Sequence, residues 1–233
     1  MLKSLLLMAI FCLSTTTFAQ FSNESELGIV VTGGNTELQV YNGKVTNQYV
    51  LDKNTFTLGG HYMYGTSFDV ENSRNWDING KYNRNFGKKA GAFVGFVYEG
   101  DEFAGIDNRL NVDLGGSYQI VKTKRSNVKA EAGYRFRREE DLSNNSVTQS
   151  QGRLYVQGKR TPTKDISYGL WVEYLPNITT PSDWQINFEP SFQYNFHSNL
   201  ALKWGYLGRY DNLPVLGNKK FDFTYITSLI AKF

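Results

Sequence analysis

Cysteine, histidine, proline and long apolar runs are all scarce in this chain, and each scarcity removes a class of function. The only cysteine, Cys12, lies near the amino terminus and is preceded by the bulky Phe11, which argues against a lipidated cysteine. Beyond it the chain has neither a disulfide framework nor a thiol nucleophile. The 2 histidines, His61 and His197, form no metal-ligating cluster with cysteine, and no calcium-loop pattern occurs, so no metal or other cofactor is expected. A net charge of +3 on a chain with 20% charged residues gives no field that points to nucleic acid. After residue 20 no apolar run approaches the ~20 residues of a membrane helix. If the chain crosses a membrane, strands must do it.

What is present fits that alternative. Aromatic residues make up 15% of the chain, with 15 Tyr and 16 Phe, while Gly numbers 22 and Pro only 5. Such a mixture suits an all-β protein with interfacial aromatics and close strand contacts. The first nineteen residues read as a cleaved secretory signal: Lys3, an apolar stretch from Leu5, and Thr17-Phe18-Ala19 as a small-x-small site before Gln20. Residues 20–233 are then expected to form a single domain.

The carboxy-terminal residues 221–233 show the governing pattern. Phe221, Phe223, Tyr225, Thr227, Leu229, Ala231 and Phe233 share one face, against Asp222, Thr224, Ile226, Ser228, Ile230 and Lys232 on the other. A period of two is a strand signal, and a closing aromatic is what the final strand of an outer-membrane barrel carries. Phe233 is accordingly read as a membrane-assembly signal.

The alternation runs almost without interruption from residue 24 and predicts about twelve strands, each near the ~9–11 residues that cross a bilayer. Tight turns are expected at Gly33-Gly34-Asn35-Thr36 and Asp52-Lys53-Asn54. Short connections alternate with longer polar ones, at residues 67–74, 100–107, 138–149, 176–182 and 211–220, as tight periplasmic turns alternate with outer loops. Pro190 falls within the tenth strand, where a bulge would accommodate it. Tyr168, Tyr194 and Trp204 fall near the lower strand ends, and Tyr174, Trp184 and Tyr210 near the upper ends, as two interfacial girdles require. The predicted fold is an all-β, transmembrane, antiparallel up-and-down barrel in the outer membrane of a Gram-negative cell. Outer-membrane lipids and the assembly machinery are its expected partners, and the oligomeric state stays open.

Thr32-Gly33-Gly34-Asn35-Thr36, residues 107–118, Glu131-Ala132-Gly133-Tyr134-Arg135, Asn212-Leu213-Pro214 and Ser228-Leu229-Ile230-Ala231-Lys232-Phe233 together resemble the YdiY-like family, described as salt-induced outer-membrane proteins. The resemblance covers nearly the whole chain after residue 20. It implies location and fold, and a link to salt or osmotic stress, but brings no reaction, ligand or functional residue.

Chemistry, if any, belongs to the lumen. Assigning the polar face inward places Arg109, Arg135, Arg153 and Glu173 near the outer strand ends, with Asp113, Glu131 and Glu189 deeper. One reading is a charged constriction that selects solutes. The preferred reading is an ion-paired, filled or narrowly permeable interior, because neighbouring opposite charges satisfy one another. About twelve strands lie between ~8, which leave little room, and ~16–18, which form open porins. An outer-membrane lipase-like or protease-like enzyme is the alternative, yet no spacing singles out catalytic residues. His61 faces the lumen and His197 a periplasmic turn. A third alternative is a surface binding protein that uses residues 67–74 or 138–149.

Overall fold

The computed structural model describes residues 19–32, 38–214 and 219–233. The expected signal peptide, apart from Ala19, and the turn at residues 33–36 lie outside them. Twelve strands form a closed barrel in which each strand pairs with its sequence neighbours and β1 closes on β12. They are β1 (Ala19–Thr32), β2 (Leu38–Leu51), β3 (Asn54–Ser67), β4 (Val70–Asn85), β5 (Ala90–Asp101) and β6 (Ile106–Lys122). The second half comprises β7 (Ser126–Asp141), β8 (Ser146–Arg160), β9 (Ile166–Pro176), β10 (Trp184–Asn195), β11 (Leu200–Asp211) and β12 (Phe221–Lys232). All pairings are antiparallel. β1 starts at Ala19, before the expected residue 24, because its lower end pairs with β2 from Ala19↔Leu51 onward.

Burial is inverted relative to a soluble domain. Among the described residues, buried apolar side chains are confined to Phe93, Ile106, Leu175, Ala201 and Ile230, and buried polar and charged ones, such as Glu131, Arg135, Arg137 and Arg153, outnumber them. Meanwhile Leu27 is 65% and Tyr225 75% exposed, in company with apolar residues on every strand. An apolar surface of that extent is incompatible with water and fits a lipid-facing wall. The rings fall into two belts on the outer face. Trp184 stacks on Tyr210 at 5.1 Å and meets Tyr174 at 6.1 Å towards one rim, while Phe192 lies 5.5 Å from both Tyr168 and Trp204 towards the other.

The connections depart from the expected alternation. Between β3 and β4 only Phe68 and Asp69 intervene, both at positive φ (48° and 58°), the backbone of a tight hairpin turn that follows strand twist. Between β7 and β8 the turn is residues 142–145, not 138–149, since Arg138↔Thr148, Glu139↔Val147 and Glu140↔Ser146 continue the ladder. Asp141 closes this turn by accepting from the backbone N–H groups of Ser143 (2.8 Å) and Asn145 (2.9 Å). A 3₁₀ turn at Glu102–Ala104 joins β5 to β6, ending on Gly105 at φ 81°. Of the stretches expected as loops, 67–74 and 138–149 are mostly strand, whereas the described residues of 176–182 and 211–220 are strand only at Pro176 and Asp211. Once a hairpin rises past the lipid, neither of its faces needs to be apolar, so alternation fades while backbone pairing continues. No bulge forms at Pro190 either. Pro190 pairs with Leu170 on β9, and the register to β11 is the same on both sides (Phe188↔Gly208, Ser191↔Gly205), with the ladder skipping Glu189 and Pro190. An unpaired position on one side is what a residue without an N–H requires.

The seam holds the shortest ladder, Glu24↔Lys232 to Leu27↔Leu229. Phe233 extends it, donating to Asn23 O at 2.9 Å and accepting from Asn23 N at 2.7 Å, with its side chain 74% exposed.

Candidate functional site

Inward alternation on β6, β7, β8 and β9 delivers Asp113, Arg135, Arg153 and Glu173 to one cluster. Arg135 donates to Asp113 from Nε (2.7 Å) and Nη2 (2.8 Å), and to Glu173 at 3.1 Å. Arg153 holds Glu173 at 2.7 Å, Glu131 at 2.9 Å and Asp113 at 3.3 Å. Arg135 stands directly opposite Asp113 in the ladder, rather than above it as expected. Glu131, only 2% exposed at its side chain, also accepts from Lys81 (2.6 Å) and Lys129 (3.0 Å). Lys81 belongs to β4, so this contact passes over β5 and β6. The cations lie on rings as well as between carboxylates: Lys81 is 4.5 Å from the centroid of Phe93, and Arg153 is 4.8 Å from that of Tyr155.

Bare backbone makes room for these crossings. Gly115 and Gly133 face one another in register between the Asp113↔Arg135 and Ser117↔Glu131 pairs. A Cβ on Gly115 would lie 2.3 Å from Ala132 O, and one on Gly133 2.3 Å from Leu114 O. No residue but glycine fits there. Arg153, in register with Gly133, therefore reaches over β7 to Asp113.

Two smaller groups complete the lumen. Arg109 joins Glu99 (3.3 Å) to Glu139 (2.6 Å) nearer the rim that carries the 3₁₀ turn. On the other wall Lys203 lies between Glu189 (2.9 Å) and Glu26 (3.4 Å), and Trp171 Nε1 donates to Glu189 at 3.2 Å. At the upper mouth Arg209 of β11 meets Asp101 of β5 at 3.8 Å. These strands stand six apart in either direction around the closed order, so the pair spans the mouth.

All seven lumen residues expected from the sequence lie on the inner wall. Asp113, Glu131, Arg135, Arg153 and Glu173 form one network, whereas Arg109 and Glu189 sit in separate groups. Lys81, Lys129, Glu99, Arg137 and Lys203 were not singled out beforehand; their placement on inward-facing positions was the available signal. His61 contacts Asn42 (3.3 Å) and Asp77 (3.6 Å), and His197 lies in the exposed turn after β10 beside Ser198 (3.3 Å). Among the described residues no group of three His, Cys, Asp or Glu could hold a metal ion.

A lipid-facing exterior around a closed, ion-paired polar interior defines an integral membrane β-barrel of the porin-like class. Solved structures agree on the fold. The NanC porin superposes with a TM-score of 0.55 at 10% identity, over 91% of this chain and 98% of its own. An outer-membrane channel of the COG4313 group from Pseudomonas putida F1 gives 0.53 at 12% identity, over 92% and 95%. The KdgM porin gives 0.51 at 14% identity, over 91% and 99%. No curated protein matches in sequence. Residues 25–233 match DUF481, a family described as a protein of unknown function, and the chain belongs to that family. Membership agrees with the resemblance to YdiY-like proteins.

Proposed function

We propose that this protein is a non-enzymatic outer-membrane barrel whose lumen is a narrow passive pore, restricted by its own ion pairs to water, ions and small solutes. The observation that carries this reading is the set of side chains crossing the interior, Lys81 to Glu131 and Arg153 to Asp113, with Arg209 and Asp101 meeting over the mouth. Twelve strands enclose a lumen intermediate between side-chain-filled and open barrels, and these crossings narrow it further. Arg109, Asp113, Glu131, Arg135, Arg153, Glu173 and Glu189 are the proposed constriction. Cleavage after Ala19, recognition of Phe233 by the assembly machinery, and outer-membrane lipids as surroundings belong to the same proposal. So does a link to salt stress. The Arg209–Asp101 contact is long and its arginine half-exposed, and such pairs loosen as ions screen them.

Single-channel recording in planar bilayers tests it. Small steady steps are expected, larger in Arg135→Ala or Arg153→Ala, with current rising more steeply with salt than bulk conductivity does. Silence in the native protein and in both variants would show a filled, structural barrel instead. Hydrolysis of lipid or peptide by the purified barrel, lost in His61→Ala, would replace the proposal with an enzyme.

A further inference from the structure

Arg109, Arg135 and Arg153 each touch at least two carboxylates. Arg137 is as deeply buried, at 3% exposure, and among the described residues no carboxylate oxygen comes within ion-pair distance of it. Its contacts are amides. Nε donates to Asn111 Oδ1 at 3.0 Å and Nη1 to Gln185 Oε1 at 3.1 Å. Its register neighbours on the same face are also amides, Asn111 on β6 and Gln149 on β8.

A guanidinium carries five N–H groups in a fixed fork. Two are used here. Those remaining include the second hydrogen of Nη1 and both of Nη2, which form the end-on edge of the fork. Nη2 makes no hydrogen bond to the described residues, and it is not one of their fully sealed side-chain atoms without a partner, which are Glu71 Oε1, Gln151 Oε1 and Ser228 Oγ. Burying a cation without a counter-charge is costly, and relief comes from an anion able to accept the free edge. Glu99, the acid linked to Arg137 through Asn111, is already committed: Asn111 donates to it at 3.0 Å, and it also receives Arg109. Arg135, two residues away on the same face, adds positive potential.

We infer that Arg137 is an anion-binding residue of the upper lumen, taking a carboxylate or another oxyanion that presents two oxygens to the free edge of its guanidinium. Parallel N–H···O bonds suit this geometry, and they distinguish such anions from chloride. Asn111 and Gln185 are positioning residues that fix the plane of the fork. The inference rests on the reading of the barrel interior as the functional surface, but it does not require measurable current.

The test uses the full barrel in neutral detergent. Thermal unfolding is followed by heat-modifiable gel mobility, with sodium acetate or sodium phosphate titrated against sodium chloride at equal ionic strength. A ligand that binds only the folded state raises the midpoint with concentration. A rise beyond that in chloride is expected for the native chain. In Arg137→Gln it should vanish, with apparent binding weakened about tenfold or more, the loss of a charge-assisted hydrogen bond. Arg137→Lys keeps the charge but lacks the fork, so it should bind more weakly than native; it carries the test if Arg137→Gln does not fold. Equal stabilisation of native and variant chains, or none in the native chain, would overturn the inference. A barrel silent in bilayers that still shows the Arg137-dependent shift would sink the pore reading and leave this one standing.

Discussion

Glu131 shows how one side chain organises the interior. Three cations from three strands, Lys81, Lys129 and Arg153, converge on a carboxylate that is almost wholly buried. Removing one member of such a group leaves the others uncompensated, which typically costs about 3–5 kcal/mol. Glu131→Gln is therefore expected to lower stability by about that amount in urea unfolding followed by tryptophan fluorescence. Glu102→Gln provides the contrast. Its partner Arg74 is half-exposed, so the change should stay below about 1 kcal/mol. Equal effects of the two would show that lumen water screens the buried network as fully as the surface. Period-two alternation puts Glu131 inside but does not reveal its partners. Lys81 lies fifty positions away and three strands over, and only the tilt and curvature of the barrel bring its amine within 2.6 Å.

At the scale of elements, the glycine pair on β6 and β7 and the upper hairpins deserve separate tests. Gly115→Ala places a Cβ against backbone carbonyl, which no side-chain rotation relieves. Loss of the compact folded band on unheated gels is expected. Gly116→Ala, whose Cβ would meet nothing closer than 3.9 Å, should fold within about 0.5 kcal/mol of native. If both fold equally well, the close approach of β6 to β7 is not obligatory. The β7–β8 hairpin makes a second prediction. Arg137 and Arg138 lie within paired strand and the turn is confined to residues 142–145, so trypsin acting on the folded barrel should spare both arginines. Cleavage there at the rate seen for an unfolded chain would restore the long loop expected from composition. That expectation failed for a physical reason. Charged and Asn/Ser-rich residues mark contact with water, and above the membrane a water-exposed strand and a loop share that composition. Alternation identified the strands wherever one of their faces meets lipid, and lost them where neither does.

For the whole molecule, closure depends on the shortest ladder in the barrel, between β1 and β12, extended by the paired backbone of Asn23 and Phe233. Deleting Phe233 is expected to reduce the folded, membrane-inserted fraction several-fold in cells while leaving the conductance of those barrels that do assemble unchanged. Normal insertion would remove Phe233 from any role in assembly. The sequence alone was sufficient for about twelve strands, their antiparallel order, the lipid-facing side of the closing strand and both aromatic belts, because a bilayer imposes period two on every crossing strand. It also brought seven charged residues to the inner wall. Only the tertiary structure decided which of them meet, that Arg137 is left without a carboxylate, and that Arg209 and Asp101 span the mouth. Those outcomes depend on how far the closing sheet staggers and bends, which is a property of twelve strands together and of no single stretch of chain.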